Sequence, residues 1–224
     1  MRRAVMSILA GMILAVMSLS QTVPALEEKP GSGYERDYLQ IRIAADEIVA
    51  VRNRLPAAAA ELEFDERVLI NRIRGRVGAV LTNLRFLAIS TQSPDWLELP
   101  LDIKEAFSGT MTLSERMGLL LTADRAVGFD DGARALVTYD IPLGEELRAR
   151  DAARDVAAFA TAGRAVVLVR GDGSFRSIEF EVTETFRTLT VTAGLVSVET
   201  SERLLTFQTS SKTWSTRPLR PIDD

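Results

Sequence analysis

AELEFDERVLINRIRGRVGAVLTNLRFLA, residues 60–88, is the most regular stretch of this 224-residue chain. Apolar side chains recur in it at three- and four-residue steps and share one face under a period of 3.6 residues: Leu62, Leu69, Ile73, Val77, Val80, Leu84 and Leu87. This pattern predicts a long amphipathic helix. Between Arg67 and Arg85 the stretch carries five arginines and no acid.

The arginines of this stretch allow two interpretations. They form a surface that binds an acidic partner, an envelope polyanion or lipid headgroups. Alternatively, and in better agreement with the pattern, their stems border a buried stripe while their charged heads stay in water. The candidate interaction surface consists of these side chains and one aromatic residue of the following segment: Arg67, Arg72, Arg74, Arg76, Arg85 and Trp96.

The segments on either side extend the helical pattern. Residues 35–55 repeat the three- and four-residue spacing up to Pro56, so the two stretches together predict an antiparallel helical hairpin. Residues 90–111 are rich in turn residues and predict an irregular segment that covers the core or, alternatively, acts as a binding lid. Thr112 and Glu115 form a capping-box pattern that predicts a third helix ending at Gly128.

The C-terminal half has a different character. A strand is predicted from Ala135 to Ile141, an alanine-rich helix from Gly144 to Ala162 and a buried strand from Ala165 to Val169. Alternating apolar residues from Ile178 to Phe207 then predict an antiparallel meander. The predicted fold class is α+β, without a repeat of constant period. Its regions are a signal peptide (1–25), a flexible lead (26–34), a helical region (35–130), an α/β-to-antiparallel-β region (131–217) and a tail (218–224).

The N-terminus has the pattern of a secretory signal peptide. Arg2 and Arg3 precede an uncharged apolar run, and small residues at Val23 and Ala25 predict cleavage after Ala25. The alternative is an uncleaved anchor, but the apolar run of residues 4–19 is shorter than the roughly 20 residues of a membrane-spanning helix. The expected location is therefore the bacterial periplasm or the exterior, with no stable membrane span after cleavage.

Two missing residue types restrict the chemistry. The chain has no histidine, which removes the common general base, Ser-His nucleophiles and most zinc and copper sites. It has no cysteine, so disulfides and thiol nucleophiles are also excluded. The formal charge of −4 becomes −6 when Arg2 and Arg3 are removed, which argues against nucleic acid as a partner. We expect no enzyme, no cofactor and no metal site.

Three functions remain open from the sequence. The first is a non-enzymatic envelope protein that binds an envelope protein or copies of itself. The second is a binding module for a small molecule or an envelope polymer, using the segment around Trp96. The third and weakest is a carboxylate-based hydrolase, with candidates Asp95, Glu98, Asp124, Asp130, Asp131, Asp140, Glu179 and Glu181.

Overall fold

The computed structural model describes residues 38–219, and nearly all of this part is β-strand. The strands form five antiparallel sheets. The first sheet has three strands: β1 (Leu39–Ile43), β2 (Glu47–Arg52) and β3 (Ala58–Glu61). The second has β4 (Val68–Arg74), β5 (Val77–Thr82), β6 (Arg85–Ser90) and β7 (Leu97–Pro100). The third has β8 (Thr110–Leu113), β9 (Met117–Leu121), β10 (Arg125–Asp130) and β11 (Val137–Asp140).

The last two sheets have four strands each. The fourth contains β12 (Leu147–Ala153), β13 (Val156–Thr161), β14 (Arg164–Val169) and β15 (Phe175–Glu179). The fifth contains β16 (Phe186–Val191), β17 (Leu195–Thr200), β18 (Arg203–Gln208) and β19 (Thr213–Pro218). In every sheet, strands that follow one another in the chain are hydrogen-bonded neighbours, so each sheet is a meander.

One short helix occurs in the described residues, α1 (Ile103–Ser108), between the second and third sheets. Asp102 caps it, because its side chain accepts a hydrogen bond from the Glu105 backbone N–H at 2.8 Å. Within residues 38–219, no helix has the length and apolar character needed to cross a membrane.

The sheets are packed face to face in chain order. Four clusters of buried apolar side chains fill the spaces between the first and second, second and third, third and fourth, and fourth and fifth sheets. The two middle strands of a four-stranded sheet therefore carry apolar residues on both faces, and β5 and β13 are buried at every position. Meanders stacked in this way are the blades of a propeller-like fold.

Small residues allow the sheets to approach closely. A Cβ atom added to Gly128 on β10 would lie 2.1 Å from the Leu168 side chain on β14 of the next sheet. Gly118 on β9 is equally restricted, because its Cβ would lie 2.1 Å from the Phe129 ring. Glycine at these two positions makes room for the large side chains of the core.

A sequence repeat accompanies the sheets. The pattern Thr-x-x-Arg joins the second and third strands of each four-stranded sheet, at 82–85, 122–125, 161–164 and 200–203, and thus recurs every 39 or 40 residues. In each copy, the threonine hydroxyl oxygen accepts a hydrogen bond from the arginine backbone N–H, at 2.9–3.2 Å, which closes the turn. The prediction that the chain has no constant repeat is therefore wrong.

The α+β prediction is also wrong, since the helical hairpin is made of strands. Residues 35–55 contain β1 and β2, and residues 60–88 contain β4, β5 and the start of β6. The physical reason is that strands buried on both faces lose the two-residue alternation, so their apolar residues also match a helical period. Gly75, read as part of a helix, has a φ of +57° and lies in the β4–β5 turn.

The other predicted helices fail in the same way. Residues 112–128 form the end of β8, then β9 and most of β10, and residues 144–162 contain β12 and β13. The antiparallel pairing expected near the C-terminus is present as β16–β19. Pro218, predicted to lie in a tail, ends β19 on the edge of the fifth sheet, where a missing N–H is tolerated. The predicted signal peptide and flexible lead lie outside the described residues.

Candidate functional site

The segments that connect one sheet to the next all lie at one end of the strands, which we call the linker edge. These linkers are residues 62–67, 101–109, 141–146 and 180–185. Each enters by a backbone hydrogen bond of 2.8 Å to the turn between the second and third strands of the sheet it leaves, as Leu101 N–H donates to Leu84 O.

A buried glutamate fixes each linker to the following sheet. Glu184 is the clearest example, because its side chain is inaccessible to solvent. It accepts hydrogen bonds from Arg203 Nε at 2.6 Å, from Thr200 Oγ1 at 2.8 Å and from the Glu181 backbone N–H at 2.6 Å. Arg203 also donates through Nη2. The hydrogen bonds from Arg203, against the opposing effect of burial, lower the pKa of Glu184 to about 2.

Equivalent contacts recur in the other three linkers. Burial alone raises the pKa of Glu66, but hydrogen bonds from Arg85, from a backbone N–H and from Thr82 outweigh that effect and lower it. Glu145 likewise binds the threonine and arginine of its own Thr-x-x-Arg turn. Glu105 binds Arg125 at 2.6 Å. These contacts tie the Thr-x-x-Arg repeat to a glutamate that lies 16 or 17 residues before the threonine.

An exposed apolar side chain stands two residues before each of these glutamates. The four residues are spaced 39, 40 and 39 positions apart: Phe64, Ile103, Leu143 and Val182. Their exposed fractions are 93%, 67%, 100% and 104%, so they are not part of the core. We call this set the apolar row. Because every member belongs to a linker that its glutamate anchors, the row is held in place by the fold.

The surroundings of the apolar row are acidic. The four linkers contain nine carboxylates and two cations, Arg67 and Lys104. Four of the carboxylates pair with arginines of the Thr-x-x-Arg turns, which leaves five against two cations. The turns between second and third strands add Asp46, Asp124 and Glu202 and no cation. The linker edge therefore combines exposed apolar side chains with negative charge.

The opposite end of the strands is rich in arginine. Asp131, fully buried after β10, is approached by Arg76 at 3.7 Å, by Arg116 at 4.0 Å and by Arg170 Nε. These arginines come from the second, third and fourth sheets, so one carboxylate joins three blades. Arg116 also lies 3.5 Å from Asp155.

Two clefts open at this arginine-rich end, on either side of the β10–β11 loop. The larger cleft, about 710 Å³, lies between that loop and the β14–β15 turn. The smaller cleft, about 530 Å³, lies between the loop and residues 92–97. Arg134 lines both clefts.

The residues predicted to form an interaction surface are not brought together. Arg85 lies at the linker edge and pairs with Glu66 and Glu98, and Arg67 is exposed at the same end. The remaining positions are distributed over β4, the β4–β5 turn and the core. Arg72 is exposed on β4, Arg74 donates to Leu113 O at 3.0 Å and Arg76 faces Asp131. Trp96 is 8% exposed between the first two sheets, and its Nε1 donates to Ala58 O at 3.1 Å.

The acids considered for hydrolysis have structural partners at the loop after β10. Asp130 accepts hydrogen bonds from the backbone N–H groups of Gly171 at 2.7 Å and Gly132 at 2.8 Å, and Asp131 binds arginines. In residues 38–219, no group of three or more acidic side chains is arranged to hold a metal ion.

The apolar row was not identified from the sequence, although a signal for it exists. An apolar residue, any residue and a glutamate precede a Thr-x-x-Arg pattern by a constant distance in four places. Aligning the chain with itself at an offset of 39 or 40 residues would have revealed both the blades and the row.

No protein-family profile and no curated protein sequence matches the chain. A structure of Kluyveromyces lactis Hsv2 is similar at 14% identity and a TM-score of 0.41, over 81% of this chain and 59% of that one. BamB from Moraxella catarrhalis is similar at 15% identity and a TM-score of 0.35, over 80% and 64%. The extracellular domain of the putative one-component system BT4673 from B. thetaiotaomicron is similar at 13% identity and a TM-score of 0.36, over 84% and 29%. The chain thus spans less than two thirds of each, and likenesses at these TM-scores carry no functional argument.

Proposed function

We propose that this protein is a non-catalytic interaction scaffold whose linker edge binds a partner protein. The partner presents apolar side chains flanked by lysine or arginine, which complement the apolar row and the surrounding carboxylates. The observation that carries this proposal is the apolar row itself: four large apolar side chains, at equivalent positions of four linkers, stand in solvent.

Scattered exposed apolar residues are ordinary and need no explanation. The members of the apolar row differ from such residues in that they recur with the blades and have the same buried anchor. Packed sheets are on the order of 10 Å apart, so neighbouring members form a spaced series along the linker edge. Since the anchors hold these linkers before binding, little conformational entropy would be lost when a partner docks.

The proposed site of action is the periplasm or the cell exterior. The leader of residues 1–25 supports this location, and the absence of histidine and cysteine supports binding as the function instead of catalysis. Mass spectrometry of protein exported from a bacterial host is expected to find Leu26 at the N-terminus. A full-length chain in the cytosol would contradict the location and leave the docking proposal intact.

A pair of synthetic helices tests the docking proposal. We expect an amphipathic leucine–lysine peptide to bind the mature protein in fluorescence anisotropy, and a leucine–glutamate peptide of the same length to bind far more weakly. The double variant Phe64→Ser/Leu143→Ser removes two fully exposed side chains without opening the core. Full burial of such a side chain contributes roughly 1.5–3 kcal/mol, so at least about a tenfold loss of affinity is expected.

The matched control is Leu195→Ser, which changes a 36%-exposed leucine at the other end of β17. This variant is expected to bind the leucine–lysine peptide like the wild type. Equal binding by the double variant and the wild type would refute the apolar row as the docking surface. If light scattering shows that the wild-type protein self-associates and the double variant does not, the occupant is a second copy and the separate partner is excluded.

A further inference from the structure

The larger cleft at the arginine-rich end has the dimensions of a small-molecule site. Its volume of about 710 Å³ lies within the range of roughly 300–1,000 Å³ that such sites occupy. Its lining is mainly apolar and includes Phe129, Ala133, Ala135, Leu136, Val137 and Leu168. Leu136 and Val137 pack against the cores on either side of the third sheet, so the apolar lining continues into the fold.

The charged lining of this cleft is cationic and has unused donors. Arg170 is fixed through its Nε by the buried Asp131, and no hydrogen bond from its two terminal amino groups is found within residues 38–219. Arg134 is exposed and has no ion pair or side-chain hydrogen bond to another described residue. Asp130, the carboxylate of the same lining, already accepts hydrogen bonds from the backbone N–H groups of Gly132 and Gly171.

We infer that the larger cleft binds a small amphiphilic carboxylate, with its apolar body against the apolar lining and its carboxylate on Arg134 and Arg170. A guanidinium group matches a carboxylate through two parallel N–H···O bonds. Asp131 orients Arg170, and Gly171 leaves the turn beside it open, because nothing lies within 4 Å of the position of a Cβ atom there. This site is at the opposite end of the strands from the apolar row and does not depend on it.

Calorimetric titration with decanoate tests this inference, with decanol as the uncharged probe. We expect decanoate to bind at least about tenfold more tightly than decanol, since a hydrogen-bonded carboxylate is held by charged donors. Arg134→Gln is expected to remove most of that preference. Arg72→Gln, which changes an exposed arginine on β4, is the matched control and is expected to leave it unchanged.

A second variant tests the apolar part of the cleft. Ala135 is exposed, so Ala135→Trp can fill the cleft without disturbing the core, and it is expected to weaken decanoate and decanol alike. Equal affinity for the two probes in the wild type, or an unchanged preference in Arg134→Gln, would overturn the inference. So would binding of a blocked peptide through its C-terminal carboxylate in the absence of decanoate binding, which would assign the cleft to a polypeptide.

Discussion

Replacing Glu184 with glutamine removes one negative charge from the anchor between the fourth and fifth sheets while preserving its shape. One carboxylate oxygen becomes an NH₂ group, a donor that faces the N–H groups of Arg203 or of the Glu181 backbone. The Arg203 side chain, 20% exposed, also loses its main countercharge. We therefore expect Glu184→Gln to lower the free energy of unfolding markedly at neutral pH.

The pKa of Glu184 sets the magnitude. A tenfold change in proton affinity corresponds to about 1.4 kcal/mol. Lowering the pKa from 4.5 in the unfolded chain to about 2 in the folded protein therefore corresponds to roughly 3 kcal/mol as an upper value. Because the folded pKa is the lower one, this contribution is complete above pH 4.5 and is lost as the pH falls toward 2. At pH 3 about half of it remains.

Urea unfolding followed by circular dichroism measures this effect. The difference in unfolding free energy between wild type and Glu184→Gln is expected to be about 2–3 kcal/mol at pH 7 and about half as large at pH 3. Glu181→Gln is the matched control, because Glu181 lies in the same linker and contacts the same arginine at 3.3 Å but is 67% exposed. Its cost is expected to stay below about 1 kcal/mol. Equal costs for the two variants, or a difference that does not change with pH, would refute the reasoning.

Three further substitutions test the packing. Gly75→Ala is expected to cost more than Gly144→Ala in urea unfolding: both residues have positive φ, but only the new Cβ at Gly75 would meet a neighbour, Glu115 O at 2.5 Å. Equal costs would contradict the clash. Phe159→Ala, in the core between the third and fourth sheets, is expected to cost about 3–5 kcal/mol, and a cost below about 1 kcal/mol would contradict that placement. Trp96→Phe loses one buried hydrogen bond and is expected to cost about 1 kcal/mol while leaving peptide binding unchanged; weaker binding would restore the tryptophan as a docking residue.

The C-terminal strands were predictable because one of their faces contacts solvent. In β15 and β16 exposed residues separate the partly buried ones, and the sequence from Ile178 to Val191 shows this alternation directly. In β5 and β13, by contrast, both faces are buried, so apolar residues follow one another without interruption. A helix and a doubly buried strand then give the same pattern, and the second meander was read as a helix.

The candidate docking surface escaped prediction for a related reason. Phe64 and Leu143 are large apolar residues, which a sequence pattern normally places in a core. Their exposure depends on buried glutamates two positions later, whose partners are 16 to 19 residues further along the chain. Such distant contacts leave no local signal, although the repeat that carries them is visible in the sequence.

The stacking order of the sheets has a consequence for local opening of the native state. In the described residues, each of the three interior meanders contributes to two apolar clusters, whereas the first and the last contribute to one. Stability in a linear stack is approximately a sum over neighbouring units, so the two ends have fewer interactions to break before they open. Backbone amides of β1–β3 and β16–β19 are therefore expected to exchange with deuterium before those of β9 and β13, in a protection gradient that declines from the centre of the chain toward both termini.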